Sequence, residues 1–158
     1  MRKLAFVACA AAALVLAAGA GAAQPTHTKY SPSIPPSDVP AGALCDFHYY
    51  ETDVVDINEL DYADGTAVAH IDATVTHTNV DTGYTLTEED HYTQTFYPDG
   101  SQKVVGLQWH LRDASGRLVL VQAGKALFDQ NGVPISYTPN LNPDFAAVVC
   151  SALGGNPA

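Results

Sequence analysis

The sequence predicts a mainly β fold: a single antiparallel meander of about six long strands, curled into a barrel or half-barrel, with a short C-terminal helix. Five turn signals carry most of this. Asp64-Gly65, Asn79-Val80-Asp81-Thr82-Gly83, Pro98-Asp99-Gly100, Asp113-Ala114-Ser115-Gly116 and Asp129-Gln130-Asn131-Gly132 follow one another at regular intervals. Each offers a glycine for positive φ beside an Asp or Asn whose side chain bonds the local backbone. The runs between them are about 12 residues long and rich in Val, Thr, Tyr and Leu, too short for parallel crossovers. Alternation of apolar and polar residues along these runs is the third observation.

Taken from the N-terminus, residues 1–23 read as a secretory signal. Arg2 and Lys3 precede an apolar run over 4–18, and small residues before Gln24-Pro25 offer a cleavage site. That run is shorter than the roughly 20 residues that cross a bilayer as a helix; an uncleaved anchor is the alternative. Cys9 lies at the start of the run rather than after it, which argues against lipidation. Residues 24–43 hold Pro25, Pro32, Pro35, Pro36 and Pro40 among Ser, Thr and Gly. They lack the apolar residues for a core, so an extended, largely disordered tether is expected. One domain follows over 44–153, and 154–158 form a flexible tail.

Within the domain, alternation assigns faces. Ala67, Ala69, Ile71, Ala73 and Val75 share one side, as do Tyr84, Leu86, Tyr92 and Phe96, and then Val105, Leu107, Trp109 and Leu111. Residues 117–128 are apolar on both sides, Leu118 and Leu120 against Val119, Val121 and Ala123, so this strand is expected to be covered on both faces. Val133, Ile135 and Tyr137 end the sheet. Asn142 is placed to cap a helix with Pro143 at its first position. Phe145, Val148, Val149 and Ala152 fall at helical spacing before Gly154-Gly155.

Composition bounds the partners. Without Arg2 and Lys3, five Lys+Arg face 17 Asp+Glu, a net charge of −12. Such a chain is repelled by phosphate backbones and anionic lipid, so nucleic acid is excluded as a partner. Cations, small neutral ligands, basic proteins or an envelope or extracellular protein remain. No second apolar stretch approaches spanning length, which leaves no transmembrane segment after signal cleavage. Two cysteines remain once Cys9 is removed, Cys45 and Cys150. An even count in an exported chain implies one disulfide, with two free buried thiols as the alternative.

With these turns and cysteines on the page, the chain resembles a broad group of uncharacterised small exported actinobacterial β-meander proteins. The shared features are the signal peptide, a Cys opening the first strand, hairpins of the "DGT", "NxDTG" and "PDGS" kind, a "DxNG" turn at Asp129–Gly132 and the closing Cys150-Ser151-Ala152-Leu153. The likeness covers residues 45–153. It implies a fold and a compartment, secreted or at the cell envelope, and carries no catalytic residues.

The densest ionisable stretch is Glu88-Glu89-Asp90-His91-Tyr92. Strand alternation splits it into two pairs. If Thr78 opposes Gly83, His70 lies opposite His91 and Asp72 opposite Glu89. A two-residue Asp99-Gly100 turn then sets Gln108 against His91 and His110 against Glu89. His70, Asp72, Glu89, His91 and His110 thereby form a candidate zinc or copper patch on one face, alongside the plain reading of a solvated sheet. Thr74, Thr93 or Gln108 would orient the imidazoles. On the other face Glu88 and Asp90 sit with Tyr92 and Trp109, the makings of an aromatic-lined ligand pocket if the sheet encloses space. Nucleophile-elbow, CxxC, phosphate-loop and zincin motifs are absent from the sequence. The expected function is therefore non-catalytic binding with no resident cofactor. The alternative is a small cyclase- or isomerase-like enzyme with Glu88 or Asp90 as general base.

Overall fold

The computed structural model describes residues 23–139 and 144–155. The signal segment, apart from Ala23, lies outside them, as do Asn142, Pro143 and the last three residues. The chain forms β1 (Thr26–Tyr30), β2 (Ser37–Val39), β3 (Tyr49–Asp61), β4 (Ala67–Asn79), β5 (Tyr84–Phe96), β6 (Gln102–Asp113), β7 (Leu118–Phe128), β8 (Pro134–Thr138) and α1 (Phe145–Ala152). All eight strands belong to one antiparallel sheet, ordered β1-β3-β4-β5-β6-β7-β8, with β2 also on β3. Among the described residues no ladder joins β8 back to β1 or β2, so the sheet stays open and the closed-barrel form of the expectation is not adopted.

The six strands β3–β8 are those that the turns predict, five of them long. β1 and β2 are a correction to the disordered tether. Thr26, Thr28 and Tyr30 favour extended backbone, and the prolines of this stretch all fall outside the two strands, so the edge of β3 accepts both pieces. Every residue of β1 is solvent-exposed, which is why composition alone gives no sign of it.

Four of the hairpins share one geometry. Tyr62 N–H bonds Thr66 O, Tyr97 N–H bonds Ser101 O, Asp113 N–H bonds Arg117 O and Asp129 N–H bonds Val133 O. The closing glycines Gly65, Gly100, Gly116 and Gly132 all have positive φ. This is the three-residue hairpin loop, a type I turn finished by a left-handed glycine. The β4–β5 loop differs. Asn79 stays in the sheet opposite Tyr84, and its side chain accepts from Asp81 N and Thr82 N while donating to Leu153 O.

These loop lengths correct both expected registers. Holding Asn79 in β4 moves β5 by two residues, so Asp72 faces His91, His70 faces Thr93 and Thr74 faces Glu89. The three-residue loop at Pro98–Gly100 sets His91 against Leu107 in place of Gln108. An extra residue in β6 then restores the predicted pairing of Glu88 with Leu111. Both neighbours of β6 lose register in the same place, between Glu88 and His91 on β5 and across Leu107/Trp109 toward β7. Gln108 is therefore the extra residue of a β-bulge. The bulge reverses the phase of the strand: Trp109 and Leu111 keep the predicted side, but Val105 and Leu107 turn to the other.

One face, the inner one, packs against α1. Its core joins Cys45, Phe47, Tyr49, Leu86, Leu111, Val149, Cys150 and Leu153. Asp144 caps α1, accepting from Ala147 N at 2.9 Å, which corrects the expected cap at Asn142. Gly154, at φ 89°, ends the helix, with Gly155 N–H bonding Cys150 O. A Cβ on Gly155 would come within 2.4 Å of the Phe47 ring, so this part of the expected tail is packed. The disulfide Cys45–Cys150 forms as predicted, with Cα atoms 5.5 Å apart. α1 is short, and β7 is not covered on both faces: Leu118 and Val121 are about half exposed, at 47% and 52%.

Candidate functional site

Two places on the sheet concentrate chemistry, one on each face. On the inner face, under α1, the phase of Ile71, Ala73 and Val75 continues to His77, whose exposure is 1%. Register sets Glu51 on β3 directly opposite it and Tyr49 opposite Asn79 one step along, while Glu88 and Asp90 come from β5. The imidazole is held at both nitrogens. Nε2 lies 2.9 Å from Glu88 Oε2, and Nδ1 lies 3.2 Å from Glu51 Oε2 and 2.6 Å from the Tyr49 hydroxyl. The Tyr49 O–H donates to Glu51. Burial disfavours a charged imidazole, but hydrogen bonds to Glu51 and Glu88 outweigh it and push His77 up to about 9. His77 is thus an imidazolium with both N–H groups donating, and its hydrogen bond in turn lowers Glu51.

Asp90 completes the cluster from beside Glu88. Burial first, then the Glu88 charge and a hydrogen bond to Glu88, push Asp90 up to about 8. Two buried carboxyls side by side cannot both ionise cheaply, so Asp90 keeps its proton near neutral pH. Its Oδ1 has no hydrogen-bond partner. Asp53, farther along β3, is raised by burial and by the charge of Glu51. Aromatic rings roof the group: Phe145 from α1 stacks on Trp109 at 4.6 Å and meets the edge of His77 at 5.9 Å.

This arrangement answers the inner-pocket expectation. Glu88, Asp90 and Trp109 lie on the same inner face, but His77 is bonded to Glu88 and Phe145 packs against both the His77 and Trp109 rings. None of four well-formed hollows among the described residues is lined by Glu88, Asp90 or Trp109. Tyr92, by contrast, lines one of these hollows, on the outer face. Sequence reasoning missed Tyr49, Glu51 and His77. The usable signal was His77 sitting in phase with Ile71, Ala73 and Val75, a buried position by alternation.

The cluster makes stability depend on pH with a definite sign. Asp90 and His77 both hold their protons more tightly folded than unfolded, at about 8 against 3.8 and about 9 against 6.5. Their contribution is full at low pH and is lost as pH rises, Asp90's through about 8 and His77's through about 9. Glu51, lowered from 4.5, contributes above that value and loses its share as pH falls through its folded pKa. The melting temperature should peak in weak acid and fall by on the order of 10 °C by about pH 9. Scanning calorimetry of the protein beside Asp90→Asn checks this; the variant should flatten the slope below pH 8, and an equal slope in both would assign it elsewhere.

The outer face is where the expected metal residues lie. His91 Nδ1 is 2.6 Å from Asp72, His110 Nδ1 is 3.6 Å from Glu89, and His70 Nδ1 pairs with Thr93 Oγ1 at 2.9 Å. The corrected register therefore divides the five residues into two separate pairs, His91 with Asp72 and His110 with Glu89, and leaves His70 bonded to Thr93. Among the described residues no three His, Cys, Asp or Glu side chains converge to hold a metal ion.

What the outer face has instead is a furrow across the strands. Ladder pairing runs from Lys29 to Asn58, His70 and Thr93, then on through Val105 and Lys125 to Thr138. Two residues along each strand a parallel row passes from Asp56 to Asp72, His91, Leu107 and Ala123. Three shallow hollows, open to solvent and of about 350, 310 and 750 Å³, lie between these rows. They are contiguous, the first two sharing Asp72 and the last two sharing Val105 and Gly106. The floor is close-packed backbone: a Cβ on Gly106 would fall 2.5 Å from His91 O, and one on Gly124 2.4 Å from Thr138 O. One end is acidic at Asp56 and Asp72; the other is apolar at Val105, Leu107 and Ala123.

No helix among the described residues is long and apolar enough to cross a membrane. Comparison with protein-family models, with curated proteins and with solved structures finds no match to this chain.

Proposed function

We propose that this chain is an exported, non-catalytic binding domain of the small actinobacterial β-meander kind, acting at or outside the cell envelope and holding its ligand in the outer-face furrow. The observation that carries this reading is the continuity of the three hollows along two cross-strand rows. The disulfide suits the oxidising surroundings of an exported protein. The rival, a cyclase- or isomerase-like enzyme, has less to work with. A general base must be unprotonated and must reach a substrate. Asp90 keeps its proton near neutral pH, Glu88 is bonded to His77, and both carboxyls are buried, with Phe145 against the His77 ring.

Amide chemical-shift mapping tests the assignment, using short peptides and chitotetraose as probes. Shifts are expected along the rows from Lys29 to Thr138. Shifts confined to residues around His77, Glu88 and Asp90 would move the site to the inner face and revive the enzyme reading.

A further inference from the structure

Resting on that binding reading, we propose that the furrow takes an extended peptide carrying a Lys or Arg and, four residues away, an aliphatic side chain. The acidic end calls for a cation. Asp56 and Asp72 are directly opposed on neighbouring strands, an arrangement of like charges that is destabilising by itself. Lys29 lines the same hollow but forms no ion pair with either among the described residues; Asp56 accepts from the Ser31 hydroxyl, and the imidazole of His91 is bonded to Asp72. The apolar end is a different kind of surface: Val105 is 42% exposed on the outer face, with Leu107 and Ala123 beside it. An ammonium or guanidinium suits the first and a Leu or Ile side chain the second.

The separation of the two ends fixes the spacing. The acidic pair lies between β3 and β4, and the apolar patch between β6 and β7. Three strand steps of about 4.8 Å make about 14 Å, the length of four extended residues at about 3.4 Å each. Side chains four apart on an extended chain point the same way, so both can face the furrow. Asp64, Asp81, Glu89 and Asp99 add to the acidic character of the β3–β5 half, whereas Lys103, Arg112, Arg117 and Lys125 all belong to β6–β7 and the turn joining them. A basic residue is thus drawn to one end of the furrow only, which sets the direction of the peptide.

The test is fluorescence anisotropy of the purified full chain with labelled Gly-Ser-Gly-Lys-Ser-Gly-Ser-Leu-Gly-Ser-Gly at low salt. Saturable binding is expected, weakened about tenfold when Glu replaces the Lys, when Ser replaces the Leu, or when the Leu moves by one residue. Asp72→Asn and Ala123→Arg, both at exposed positions, should weaken it similarly without lowering the melting temperature, and Asp72→Asn should raise it slightly by relieving the opposed pair. Equal binding of all the peptides, or full binding by Ala123→Arg, overturns the proposal. If the peptide fails while chitotetraose shifts the same rows of amides, the peptide assignment falls and the furrow stands as a glycan site. If neither probe shifts those rows, the furrow reading falls with it.

Discussion

Replacing His77 with Ala is expected to destabilise the domain by about 3–5 kcal/mol, the range for removing one partner of a buried ionic group. The cause is what remains. Without the imidazolium, Glu51 and Glu88 lose the group that bonds both of them, and Asp90 already holds a proton beside Glu88. Of these side chains only Glu51 keeps access to solvent, at 24% exposure. The loss is therefore larger than the cavity left by the ring. Urea denaturation at neutral pH measures it, and the companion variant His77→Ala/Glu88→Gln should recover part of the loss because the stranded charge is gone. A loss below about 1 kcal/mol in the single variant would mean that the cluster is held by packing and not by charge.

Removing the disulfide, by Cys45→Ser with Cys150→Ser, is expected to cost about 4.7 kcal/mol, the chain-entropy value for closing a loop of about 100 residues. The cysteines are 105 positions apart, and both are fully buried in the core. The bond also holds α1 over the sheet, so its loss should be visible locally. Trp109 is the one tryptophan of the chain and stacks on Phe145 of α1. Its emission should move to the red in the serine variant under conditions where the sheet is still folded. An unchanged urea midpoint together with unchanged emission would show that packing alone secures the helix.

The physical signals that sequence carries explain which parts of this molecule are legible in it. Turn chemistry is local, so Gly65, Gly83, Gly100, Gly116 and Gly132 mark every hairpin between β3 and β8, each with positive φ. The disulfide follows from parity. Register is not local. A two-residue and a three-residue loop both read as Asp-Gly, and the difference of one position moved His91 from Gln108 to Leu107. At Asn79 the side chain decides whether the residue belongs to loop or strand, by capping the turn and reaching Leu153 at once. The metal patch depended on those registers and separated when they changed. The inner-face acids were placed correctly because alternation survives a slip of two residues, but their partner His77 was overlooked. A histidine in phase with an apolar set is a buried one, and here Glu51 and Glu88 are what keep it charged. β1 and β2 left no trace because an exposed edge strand needs no apolar face.

Gln108 shows how little sequence separates an exposed sheet face from a core. Without that one residue β6 would keep a single phase from end to end, and Val105 and Leu107 would point with Trp109 toward α1. The furrow would lose its apolar end and the inner face would gain two aliphatic side chains in a region already filled. An insertion of one codon is thus enough to turn half a strand inside out while the hairpins at either end hold the rest of the sheet in place.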